Sequence, residues 1–250
     1  MPGSVTSSRP RSPRGRASAR SSWGGNLKKD SARKGQPKRS GNTIKKNTKT
    51  IPIDSTVVVI DEFGDLGDPN TSRHRYFGFA VSVVKNPKDF AGHTEKNRKN
   101  YKKEIKAKDD ESRDIVIDSI REQRVGTHAC YVDKNNAPKW WSRKKGKSNN
   151  MQNLFSHTLD ETLPDTGNVL VITDHHSGYK GNAESIIGSK SNERRIVKGG
   201  EYNSASGPYS DLLQTQDYVA YAASAAVEYG NRSYSDRLKM SFKKFLRRDK

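Results

Sequence analysis

Val169-Leu-Val-Ile-Thr-Asp174 is apolar without a break up to its last two residues. A strand with one face in water alternates apolar and polar side chains, so this run belongs in the middle of a sheet covered on both faces. The cover is legible on either side. Upstream, Met151, Leu154, Phe155, Thr158, Leu159 and Thr162 recur at i, i+3, i+4 spacing and predict an amphipathic helix over Asn150–Leu163, closed by Pro164. Downstream, a loop and a short edge strand around Arg194–Lys198 lead to a helix that starts at Ser210 or Asp211 and runs to about Tyr229. Ala220, Ala222, Ala223, Ala225 and Ala226 give that helix a small-residue surface able to lie close on a sheet.

Working outward, Ser55–Asp61 is a β-branched strand bounded by the turn-rich Gly64–Asn70. Tyr76–Val84 is a second strand, with Phe77, Phe79, Val81 and Val83 on one face and Gly78, Ala80 and Ser82 on the other. Two polar helices are expected between residues 87 and 122, then a third strand over Val125–Val132. Leu238, Phe242, Phe245 and Leu246 form the apolar face of a basic helix expected over residues 235–248. Strands first, then helix and strand in alternation, predict an α/β domain over residues 51–250 built on a mixed sheet flanked by helices.

Residues 1–50 differ in kind. They hold 14 Lys or Arg against the single acid Asp30, and only 8 apolar residues. Ordering each residue costs roughly 1–2 kcal/mol of backbone entropy, and this segment has no burial to offset it. It reads as a disordered basic arm carrying +13 of the chain's formal +19. Such an arm binds phosphates by counterion release, without regard to sequence; a plain solubilising tail is the other reading. No apolar run approaches the roughly 20 residues of a membrane span. With no apolar signal segment and a single cysteine, Cys130, the expectation is a soluble, intracellular protein of the cytoplasm, nucleoid or nucleus, not a secreted one.

Three acids occupy matching places: Asp61 ends the first strand, Asp174 ends the central strand, and Asp217 lies mid-helix among Leu213, Ala220 and Tyr221. Ligand sites of open α/β sheets gather at the carboxyl ends of strands. A carboxylate among apolar neighbours calls for a cation or a hydrogen-bond donor. Hard oxygen ligands from separate elements are how Mg2+ or Mn2+ is held beside a phosphodiester. Taken one at a time, each acid also fits a turn or a solvated helix face.

The wording around the acids adds to this. Ile60-Asp61-Glu62-Phe63-Gly64-Asp65, Tyr76-Phe77-Gly78-Phe79-Ala80-Val81, Val171-Ile172-Thr173-Asp174 and Leu212-Leu213-Gln214-Thr215-Gln216-Asp217 together resemble the domain of unknown function 3800 family over residues 55–230. The resemblance implies a ribonuclease H-like fold, in which a mixed five-stranded sheet presents carboxylates to one or two divalent metal ions that cut DNA or RNA. Asp61, Glu62, Asp174 and Asp217 match the acids of its motifs. Phe63 stands where the family has Ser, and Gln216 where it has Ala before the helix Asp. Strand alternation points Glu62 away from Asp61, which ranks it below the three aspartates. The implied activity is a two-metal nuclease; the alternative is a non-catalytic nucleic-acid-binding or interaction module on the same fold.

His175 and His176 directly follow Asp174 as candidate proton shuttles, or as exposed loop residues. Trp140, Trp141, Arg143, Lys144, Lys145 and Lys147 interleave rings with charge, a pattern that stacks bases and tracks phosphates; tryptophans also anchor cores. Gly146-Lys147-Ser148 is not a phosphate loop, since Trp141 stands where its first Gly belongs. Cys130, inside a predicted strand, is expected to be buried and inert.

Overall fold

The computed structural model describes residues 55–67, 72–92, 110–138, 140–141, 147–176, 178–179, 181–205 and 209–246. The basic arm, and Arg143, Lys144 and Lys145, lie outside the described residues. In chain order the elements are β1 (Ser55–Gly64), β2 (Tyr76–Val84), α1 (residues 87–92), α2 (Asp110–Glu122) and β3 (Gly126–Asp133). They continue as α3 (Lys147–Thr162), β4 (Gly167–Asp174), α4 (Ala183–Gly188), β5 (Arg195–Tyr202), α5 (Ser210–Tyr229), α6 (Ser233–Arg237) and β6 (Ser241–Phe245). Among the described residues no helix is long and apolar enough to cross a membrane.

One six-stranded mixed sheet, in the order β5-β4-β1-β2-β3-β6, carries the domain. β1, β4 and β5 run parallel, β2 is antiparallel to both β1 and β3, and β6 joins β3 in parallel. Both faces are covered, which accounts for the uninterrupted apolar runs. Val57 and Val59 pack with Phe63 under α5, α2 and α6, whereas Val58 and Ile60 pack on the other face with Met151, Leu154, Phe155 and Tyr179. Val57 through Ile60 are wholly buried. Each such side chain stabilises the fold by roughly 1.5–3 kcal/mol of burial. Along α5, Ala220, Ala222 and Ala223 lie in the core, so the helix rests close over β1 and β2 as its small residues suggest.

Among the boundaries that differ from the sequence expectation are those of β1, β5 and the segment after α5. β1 continues past Asp61 to Gly64, because β2 goes on pairing with it through Phe63↔Gly78 and Gly64↔Phe77 after the β4 partnership stops at Ile60↔Thr173. The larger correction is at the carboxyl-terminal side, where the basic helix expected over residues 235–248 is the short α6 followed by the strand β6. Lys239 takes a left-handed backbone (φ 51°), and the Met240 N–H donates to the Ser235 carbonyl at 2.9 Å, ending the helix there. The apolar spacing of Leu238, Phe242 and Phe245 fits a helix, but an outer edge of β3 left open would keep a row of unpaired backbone groups. β6 closes that edge, fixed by Lys244 to Asp133 at 3.3 Å and Lys243 to Glu161 at 3.1 Å.

Candidate active site

At the carboxyl end of the sheet β1 and β4 have just parted, and α5 crosses above them. Asp61 lies on the α5 face of β1, in line with Val57 and Val59. It is half-buried, and its carboxyl is held well above the usual carboxylate range. The causes are desolvation first, then the charges of Glu62, Asp217 and Asp174, with the Glu62 N–H bond at 2.9 Å pulling the other way. Asp217 and Asp174 thus lie near enough for their charges to act on Asp61, each acid coming from a different element.

Asp174 is half-buried and oriented by two backbone donors: its Oδ1 accepts from the His175 N–H at 2.8 Å and the Ser204 N–H at 3.1 Å. Gln214, one turn before Asp217 on α5, donates from Nε2 to the Ser204 carbonyl at 3.1 Å and ties that loop to the helix.

Glu62 projects to the other face, as strand alternation requires, yet its charge is still felt by Asp61. Desolvation raises its own carboxyl above the ordinary range, His176 opposes that rise, and Asp174 adds to it. Glu62 Oε1 lies 3.6 Å from His176 Nε2, and Oε2 is buried without a hydrogen-bond partner. His176 Nδ1 accepts the Gly178 N–H at 2.9 Å, so the neutral ring carries its proton on Nε2, facing Glu62. Tyr179, fully buried beneath, bonds Thr173 at 3.0 Å, and burial followed by the charges of Glu62, Asp61 and Glu201 raises its hydroxyl pKa well above the usual range.

Glu201 is a site residue the sequence reading missed. It pairs in register with Thr173 on β5, and its Oε2 lies 2.7 Å from Nδ1 of the exposed His175. Ending β5 near residue 198 leaves this acid in a loop; carrying the strand on to Tyr202 puts it beside the end of β4. Also missed is a charged lock on the β1–β2 connection. Lys134, with only 1% of its side chain exposed, reaches the Asp65 and Gly67 carbonyls at 3.2 Å, Asp65 Oδ1 at 3.2 Å and Ser72 Oγ at 2.9 Å. Beside it, Asp133 binds Arg75 Nε and Nη2 at 3.0 and 2.6 Å. Burial pushes the Asp133 carboxyl up, but these bonds, with those of the Asn135 N–H and Lys244, outweigh it and hold the group below the ordinary range.

The two departures from the family motif are structural. Phe63 is buried and stands across from Gly78; a Cβ at Gly78 would come within 2.5 Å of the Phe63 ring and 2.7 Å of the Cys130 carbonyl. Gln216 is fully buried and donates from Nε2 to the Ala80 carbonyl at 2.9 Å, so it fastens α5 to β2 beside Asp217. Cys130 is buried as expected, its thiol pushed up to about 12 by desolvation.

The tryptophans are half-buried. Trp140 packs against His157 and Phe245, with ring centroids 4.8 and 6.0 Å away, and Trp141 lies 6.2 Å from Phe77, so both lean on the core. Of the accompanying cations, Lys147 is exposed at the start of α3.

The carboxyl donors at this end are all hard oxygen; Asp61 and Glu62 are both raised there, and one buried oxygen of Glu62 is unpartnered. That chemistry fits a divalent cation of the Mg2+ type. Among the described residues no three His, Cys, Asp or Glu side chains are already gathered as ligands of a single ion. No protein-family model and no curated protein matches this chain.

Proposed function

We propose that the chain is a divalent-metal-dependent nuclease that hydrolyses phosphodiester bonds of DNA or RNA inside the cell. The observation that carries this reading is the half-buried carboxyl of Asp61 on β1, raised by its burial and by the charges of Glu62 beside it, Asp217 on α5 and Asp174 on β4. Acids so arranged raise the free energy of the empty site, and a bound cation removes the penalty. The sheet order supports the ribonuclease H-like fold that the motifs imply, with β5-β4-β1-β2-β3 as its five strands and β6 added at the edge.

Asp61, Asp174 and Asp217 would hold Mg2+ or Mn2+, which when bound supplies an activated water and positive charge for the leaving oxygen. The remaining work falls to the protein. The Ser204 and His175 N–H groups fix the Asp174 carboxylate, leaving Oδ2 for the ion. His176 holds a proton on Nε2 toward Glu62 Oε1 and is the nearer of the two histidines to a proton path. His175 is tied to Glu201 at the solvent-facing rim.

The test is cleavage of labelled single-stranded DNA, duplex DNA, RNA and an RNA–DNA hybrid with Mg2+ or Mn2+, wild type beside Asp61→Asn. We expect metal-dependent cutting of at least one substrate, reduced at least a hundredfold in the variant. Nucleic-acid binding with no cutting by the wild type on any substrate would reject the enzyme in favour of a non-catalytic module on the same fold.

A further inference from the structure

A cavity of about 550 Å³ opens at the other end of the sheet, between the end of β2, the start of β3 and the end of α3. Its place follows from the register. Val84 pairs with Val57 near the start of β1, and Val83 pairs with Gly126. Asp61 lies four residues further along β1, about 13 Å away at roughly 3.3 Å per residue. The cavity is thus separate from the acids and built from none of the residues that carry the proposed chemistry.

Its lining has a consistent character. Lys85 and Arg124 bring two positive charges, and no carboxylate stands among the described lining residues. Arg124 is held in a left-handed backbone (φ 52°), an uncommon conformation for a side chain with a Cβ. Val83, Val125 and Pro164 make apolar walls. One polar side chain, His128, remains to be used. Gln123 donates its amide to the Asp89 carbonyl and to Ser119, and its Oε1 is buried, so this side chain backs the wall of the cavity without opening to it. His128 is held through Nδ1 by Ser241 at 2.6 Å, and its Nε2 faces the space that Gly126 leaves open, 3.8 Å from where a Cβ would sit. Burial pulls His128 below the ordinary histidine range, so its ring offers a hydrogen-bonding edge in place of a third charge. Asn86, also in the lining, is already engaged with Asp89.

We infer that this cavity is a second binding site, for a phosphate monoester that carries a flat ring with hydrogen-bond donors, the chemistry of a nucleoside monophosphate. The volume falls within the roughly 300–1,000 Å³ of small-molecule sites. Lys85 and Arg124 meet the phosphate, the valine and proline walls take the ring, and a polar group of the ring or sugar pairs with His128 Nε2. The same chemistry exists free or at the phosphorylated end of a nucleic-acid strand, so both sources belong in the test.

The experiment is titration of the full-length, metal-free protein with adenosine 5′-monophosphate, and separately with a 5′-phosphorylated trinucleotide, read by amide NMR shifts and calorimetry at about 0.15 M salt, where surface charge is screened. Saturable binding of at least one probe, with shifts centred on residues 83–86 and 123–128, is expected. Lys85→Gln with Arg124→Asn should weaken it at least tenfold, Asn being tolerant of the left-handed backbone. Gly126→Val, which keeps both charges and fills the space before His128, should weaken it as much, while Asp61→Asn leaves it unchanged. Thermal melts confirm that each variant is folded. Which probe saturates identifies the source. No saturable binding of either probe up to 10 mM, about where a ligand this size is uselessly weak, or binding indifferent to both cavity variants, overturns the assignment.

Discussion

Asp61 shows how a single side chain can be costly to the fold that presents it. Its carboxyl is raised by desolvation and by three neighbouring acids, so ionising it costs the folded protein more than the unfolded chain, where water hydrates the charge freely. A group whose folded pKa is raised contributes stability below its unfolded value, near 4, and loses it as pH climbs through the folded value. Asp61→Asn should therefore stabilise the metal-free protein at pH 7 by about 1 kcal/mol, the usual sign when a functional compromise is removed. The gain should vanish below about pH 4, where aspartate is protonated in both states. Denaturant melts in chelator at pH 4 and pH 7 read this directly; a variant less stable than wild type at pH 7 would mean the charge is already compensated. In the sequence the aspartates stand out because Asp61 follows a β-branched run, Asp174 closes another, and Asp217 lies among mostly apolar or small helix neighbours. Glu201 and Lys134 do not, since Lys134 is unremarkable among 47 basic residues until the fold wraps Asp65, Gly67 and Ser72 around it.

Among the elements, the pairing of Phe63 with Gly78 decides how β1 and β2 meet beside the acids. The ring occupies the space a side chain at position 78 would take, and the Cys130 carbonyl and Tyr131 Cβ close the rest at 2.7 Å. Gly78→Ala should destabilise the fold by about 2–3 kcal/mol through overpacking. Adding Phe63→Leu should recover only part of that, because the Cys130 carbonyl belongs to the backbone and cannot swing aside; full recovery in a thermal melt would place the strain on the ring alone. Element types were largely readable: β2 and α5 were placed to the residue or nearly so, because their periods are strong and their ends carry turn signals. The segment after α6 was not. Its four apolar positions suit a helix, and only the open edge of β3, which no local pattern reveals, makes it a strand.

For the whole molecule, charge is the organising fact. The residues beyond position 50 carry a net of only +6, and their carboxylate end repels a polyanion until cations arrive. The first fifty residues carry +13. Deleting residues 1–50 should lower affinity for DNA and RNA evenly across sequences. It should also flatten the dependence of binding on salt, whose logarithmic slope on duplex DNA falls by about 0.9 for each phosphate the protein ceases to neutralise. Filter binding or fluorescence anisotropy between about 0.05 and 0.2 M salt measures both, a range over which phosphate neutralisation changes affinity strongly. An unchanged slope would assign phosphate binding to residues after position 50.

The parallel pairing of β6 with β3 also has a consequence for how the chain is made. His128 meets Ser241 across 113 positions, and β1 waits about as long for β4, since Ser55 pairs with Asn168. During synthesis the β1–β2–β3 meander is available early, but it emerges with both flanks open, one awaiting β4 and the other awaiting β6. Pairings so distant in sequence slow folding. The nascent sheet is then the form of this protein most exposed to pairing with the wrong strand, and once β6 docks, Lys243 and Lys244 leave the new outer edge charged.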